Sequence, residues 1–176
     1  CKELSELALV RGRTVAVCHV LRYTAFYQKI KQLMDSGILG DIVSLQAIEK
    51  VGYWHQAHSF VRGNWRNRDL SSCMILQKCC HDMDIFLWLT GKHCTHVSSF
   101  GSLRHFKKEE APAGAGERCL NCAAAEDCTY NAVKFYLDRV RENGDSWPQN
   151  VVALDPTEEK LLAALKEGPY GRCVYA

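Results

Sequence analysis

The sequence predicts an α+β chain, and three observations predict it. Apolar residues recur at helical spacing in several segments. Short β-branched or alternating runs separate those segments, and Gly, Asn and Pro stand at the junctions. With 47% hydrophobic and 24% charged residues over 176 positions, the composition is that of a globular chain with room for a sizeable core.

The elements follow in order. Leu4, Leu7 and Ala8 share one helical face, and Gly12 closes that segment. RTVAVCHVL then reads as a short, buried, β-branched strand. Thr24 is the expected N-cap of a helix through AFYQKIKQLMD, with Phe26, Ile30, Leu33 and Met34 at helical spacing and Gly37 as its stop. A turn at Gly40-Asp41 leads into DIVSLQAIEKVG, an alternating strand. Residues 53–72 carry no periodicity but hold aromatics, two His and three Arg, unusual content for a plain connector.

LQKCCHDMDIFLWLTG, residues 76–91, predicts one greasy helix ending at Gly91. THVSSFGSLRHF predicts a further strand, and residues 107–128 a loop with three cysteines. NAVKFYLDRVRE has helical spacing, with Asn143-Gly144 turning after it. DPTEEKLLAALKEG predicts another helix, with Asp155 as N-cap, Pro156 at the first position and Glu158 reaching back as in a capping box. PYGRCVYA reads as the start of one more strand.

Formal net charge is +2 with no long run of one sign, so the sequence carries no signature of nucleic-acid or membrane partners. No apolar run approaches the roughly 20 residues of a membrane helix, and the charged N-terminal segment is not a secretory signal. The cytoplasm is the expected compartment. Ten cysteines is a high number, but Cys18, Cys79, Cys80 and Cys94 sit in or beside apolar runs, where free Cys behaves as a small hydrophobe.

Laid on a helix, Gln77, His81, Asp84 and Trp88 fall within one narrow sector, with Lys78 and Ile85 at its edge. Either this is an ordinary wet face, or it lines a cavity in which His81 works as an acid or base near neutral pH. Asp84 is the side chain that would fix the tautomer of His81. Two His three apart, His55 and His58, lack a third ligand by spacing and read as parts of a partly packed, solvated loop. Cys119-x2-Cys122-x5-Cys128 has the local spacing of a thiolate metal clamp, for which Cys173 or His105 would supply the fourth ligand. Zinc and three reduced, metal-free loop cysteines stand as equal readings of that pattern.

CHVLRYTAFYQKIKQLMDSGILGDIVSLQ, then GNWRN, then QKCCHDMDIFLWLTG, together resemble the Gfo/Idh/MocA oxidoreductases in order and spacing. The resemblance implies a C-terminal domain with a largely antiparallel open sheet and packed helices over residues 23–176, incomplete at its C-terminal end. It implies that residues 1–22 are the last helix and strand of a Rossmann domain. It further implies NAD or NADP as cofactor, a sugar-like or polyol substrate, and a homo-oligomer for the full-length protein. On that resemblance His81 and Lys78 are the candidate catalytic residues, and Gln77, Arg22, Tyr23, Trp65 and Arg66 shape the substrate pocket. Gln77 stands where the family has an Asp, which removes a charge beside His81. The chain contains no strand–GxGxxG–helix unit and no Glu-Lys-Pro segment, so it reads as a fragment that does not turn over alone. A non-catalytic binding or scaffold protein on the same fold, or a zinc-stabilised interaction module, is the competing reading.

Overall fold

The computed structural model describes residues 1–176 as two compact units, residues 1–47 with 78–97 and residues 48–77 with 98–176. The expected sheet is not there. Helices account for 48% of the chain, and the one β pairing is an isolated antiparallel bridge between Arg118 and Arg172. The runs read as strands, residues 13–21, 41–52 and 95–106, carry no ladder, and apolar side chains in them face solvent, Val43 at 95% and Phe100 at 96% exposure. Alternation tells how a strand would present its faces, but a strand forms only where another backbone supplies the ladder. No second backbone pairs with these runs.

In the first unit, α1 (Lys2–Val10) buries none of its residues. A 3-10 turn over Val20–Tyr23 leads into α2 (Ala25–Asp35), whose cap is Thr24 as expected, its hydroxyl accepting from the Tyr27 N–H at 3.4 Å. The greasy segment folds as two helices, not one. A single turn, α4 (Met74–Gln77), belongs to the second unit, and α5 (Cys80–Thr90) to the first. Cys79, with φ −74 and ψ −5, carries the turn between them, in a Cys-Cys pair of low helix propensity. Ile85 and Leu89 of α5 are buried, α2 and the 3-10 turn pack against that helix, and Gly91 ends it in the left-handed conformation at φ 64.

The second unit opens with a helical stretch where the sequence predicts an unpatterned loop. A helical turn at α3 (Tyr53–His55) continues as π-helical backbone over Gln56–Arg62, whose wider period leaves no 3.6-residue stripe to read. The core joins α6 (Ala132–Asn143) to α8 (Glu158–Glu167) through Ala132, Tyr136, Leu161 and Leu165, all at 0% exposure, with Tyr170 and Cys119 against them. Asn131 caps α6, its side-chain oxygen accepting from the N–H groups of Val133 and Lys134. α7 (Gln149–Val152) packs between them. The N-cap of α8 is Thr157, not Asp155: the Thr157 hydroxyl accepts from the Lys160 N–H, while Asp155 sits outside the helix at φ 46. Glu158 then faces Arg141, which it meets with both oxygens at 2.7 and 2.8 Å, and makes no capping box. No helix is long and apolar enough to cross a membrane.

Candidate functional site

Asp84 organises the polar stripe of α5. Asp84 is 8% exposed, and His81 and Trp88 beside it on α5 are half-buried, so this face of the helix is not a solvated one. Arg22 approaches it as a fork, Nε at 2.7 Å and Nη2 at 2.5 Å, and His19 Nδ1 lies 2.7 Å from Oδ1. The hydrogen bonds from Arg22 hold the Asp84 carboxyl below its ordinary range, against the cost of burial, and His19 adds to the same effect. The same pairing raises the Arg22 guanidinium.

The 3-10 turn makes this possible. It sets His19 and Arg22 on one side of the chain, and the Arg22 carbonyl accepts from the Gln28 side chain at 2.5 Å, tying the turn to α2. The guanidinium lies 5.9 Å from the Trp88 ring, one turn beyond Asp84.

His81 sits beside this cluster. Its ring meets that of His19 edge to face, centroids 5.9 Å apart. Its Nδ1 is buried and makes no hydrogen bond. Asp84 does not fix the His81 tautomer as expected, because Arg22 and His19 occupy the carboxylate. A buried ring nitrogen without a partner is uncommon in a folded protein and calls for an explanation.

Of the other residues singled out in the sequence, Lys78 is half-buried in the same unit, and Tyr23 is 78% exposed. Gln77, Trp65 and Arg66 belong to the second unit. There Gln77 donates to the Ser72 hydroxyl, Arg66 donates to the Gly63 carbonyl at 3.1 Å, and Trp65 is largely exposed. His19 joins Arg22 on the same carboxylate. The signal was present, since a His three residues before an Arg on one turn can share a single carboxylate.

The second unit holds a separate polar centre. His58 is not solvated: it is 2% exposed, hydrogen-bonded through Nδ1 to the Tyr136 hydroxyl at 2.6 Å, and stacked on Tyr170 at 4.9 Å. Burial, with smaller contributions from His55 and Arg62, pushes its pKa down to about 4. Arg62 is 4% exposed and donates to the carbonyls of Arg172 and Tyr130, both at 2.7 Å, and to Cys119 Sγ at 3.4 Å.

Cys119, Cys122, Cys128 and Cys173 all line one small cavity of about 10 Å³ beside Arg62. All ten cysteines of the chain are free thiols. The Gly116 N–H donates to Cys122 Sγ at 3.4 Å, and the Tyr130 N–H donates to Cys128. Burial pushes the Cys128 thiol up, and Cys119, Cys122 and Cys173 lie near enough to add to the rise. The four sulfurs do not stand as a ready ligand shell, and His105 is turned to the Tyr175 hydroxyl at 3.2 Å.

Comparison with known proteins agrees with this chain's pattern. The family model described as "GFO/IDH/MocA C-terminal domain" matches residues 27–130. The chain belongs to the GFO/IDH/MocA family. Among curated proteins it is similar to "Putative oxidoreductase YteT" of Bacillus subtilis (strain 168), 28% identical over 120 residues. That match covers 66% of this chain and 28% of the relative, so the chain spans under a third of the relative's length. No solved structure gives a significant match.

The residues present do not form a dinucleotide cradle. Such a site needs glycines between a strand and the N-terminus of a helix. Here the Gly114-x-Gly116 pair lies in the loop that leads to the cysteine cavity, with Ala123 and Asn121 packed 3.4 Å from where a side chain would begin.

Proposed function

We propose that this chain is the substrate-side part of a GFO/IDH/MocA-type oxidoreductase acting on a sugar, polyol or related cyclic alcohol, with NAD or NADP held by residues other than these. The observation that carries the reading is the unpartnered, buried Nδ1 of His81 beside the Asp84–Arg22–His19 cluster. A substrate hydroxyl that donates to this nitrogen gives it the hydrogen bond it lacks. Imidazole can then take the hydroxyl proton as the alcohol is oxidised. Arg22 is held in one orientation by Asp84, which engages two of its five N–H donors and leaves the others for hydroxyl or carboxylate oxygens. Trp88 offers an aromatic face for the C–H side of a ring.

His81, Arg22 and Trp88 are the residues expected to meet substrate, and Asp84 and His19 position them. Lys78 and Tyr23, in the same unit, stand as further pocket residues by family resemblance alone. Titrating the isotopically labelled chain with cyclic polyols, hexoses and uronic acids tests the assignment. Saturable NMR shifts centred on His81, Arg22 and the Trp88 indole support it. Shifts confined to the second unit, or none with any of these compounds, overturn it.

A further inference from the structure

The cysteine cavity takes no part in the proposed reaction. Its four thiols come from three places in the second unit: Cys119 and Cys122 flank a 3-10 turn, Cys128 lies before the cap of α6, and Cys173 sits in the C-terminal segment. That segment is drawn in by the Arg118–Arg172 bridge and by the Cys173 N–H donating to the Glu117 carbonyl at 2.8 Å. The space they enclose, about 10 Å³, is room for about one water-sized occupant. That suits a single ion and is far too small for an iron–sulfur cluster.

Arg62 supplies an independent reason. This guanidinium is buried, and its partners are two carbonyls and the Cys119 sulfur, with no carboxylate. Burying a cation without a counter-charge is costly. Neutral thiols do not offset it. Four thiolates around a divalent cation carry two net negative charges and do. A backbone N–H, that of Gly116, is already aimed at Cys122 Sγ at 3.4 Å and suits a sulfur that carries charge.

We propose that Cys119, Cys122, Cys128 and Cys173 bind one Zn²⁺ ion as a closed tetrathiolate, with Arg62 balancing its charge. Binding requires the four thiols lining the cavity to turn inward onto the ion, since they do not stand as a ready ligand shell. Each thiol gives up its proton to solvent as its S–Zn bond forms, and no electron is transferred. The ion ties the C-terminal segment to the loop before α6, a structural staple independent of the proposed oxidoreductase site.

The test is reconstitution of the reduced chain with Zn²⁺ and, separately, with Co²⁺, followed by elemental analysis and absorption spectroscopy. The expected result is one ion per chain, with the intense visible bands of tetrahedral cobalt and thiolate-to-cobalt charge transfer. Cys119→Ser, Cys122→Ser, Cys128→Ser and Cys173→Ser each lose the four-sulfur spectrum, whereas Cys18→Ser, outside the cavity, keeps it. Absence of stoichiometric metal in the reduced wild-type chain overturns the proposal. So does cobalt bound by nitrogen and oxygen, or metal retained through all four cavity substitutions. If the cavity variants fail to fold, the wild-type stoichiometry and cobalt spectrum decide by themselves.

Discussion

Replacing His58 by Gln should remove a specific part of the chain's pH-dependent stability. His58 is buried, and its pKa is lowered from 6.5 to about 4, chiefly by burial. Above pH 6.5 the imidazole is neutral in both folded and unfolded chains, and the contribution is fully present. As pH falls below 6.5 the unfolded chain takes up the proton first, so unfolding binds more protons and stability declines. The decline ends near pH 4, where the folded form also protonates. A fall from 6.5 to about 4 corresponds to about 3 kcal/mol. Gln does not titrate and keeps an acceptor for the Tyr136 hydroxyl, which His58 meets at 2.6 Å.

Urea unfolding followed by tryptophan emission reads this unit, because the Trp147 ring lies 5.4 Å from that of His58. Carboxylates titrate in both proteins and cancel in the difference. The wild-type minus His58→Gln difference should therefore shrink by about 3 kcal/mol between neutral pH and pH 4. A difference that stays constant within about 0.5 kcal/mol over that range refutes the placement of a neutral, buried His58.

Leu161 has no exposed surface in the α6–α8 core, so Leu161→Ala should cost about 2–5 kcal/mol in the same urea assay. Asn131→Ala removes the cap that serves the Val133 and Lys134 N–H groups and should cost about 1 kcal/mol, with Asn131→Asp recovering most of it. In the full-length protein, Asp84→Asn should raise KM for the sugar-like substrate more than it lowers kcat. The loss frees Arg22 and His19 while leaving His81 in place.

The helices were legible because their signals are local. Thr24, Asn131 and Gly91 stand where a cap or stop is needed, and apolar spacing in between is about 3.6 residues. The strands were misread because a period-2 run describes only half of a sheet. Val43 and Phe100 alternate as strand residues do, yet no second backbone pairs with either run. The cap of α8 was misplaced because Asp155 and Thr157 are both good capping residues. Only backbone geometry, with Asp155 at φ 46, selects Thr157.

At the site, the helical stripe identified Asp84 and His81 as neighbours but not their partners. Arg22 reaches Asp84 across 62 positions, a separation no local pattern encodes. His58 was hidden for a related reason, since its partner Tyr136 lies 78 residues away. The four cysteines were visible as spacing for three of them. Spacing leaves Cys173 and His105 open as the fourth, and the fold places Cys173 at the cavity while His105 meets the Tyr175 hydroxyl.

The most direct test of the functional reading is the steady-state rate of His81→Ala in the full-length protein, measured by nicotinamide reduction with its best sugar-like substrate. Loss of a group that takes the hydroxyl proton should lower kcat by about 10²–10⁴-fold, with addition of imidazole restoring part of the rate. An unchanged kcat in a folded His81→Ala protein would contradict the assignment of His81 to the reaction.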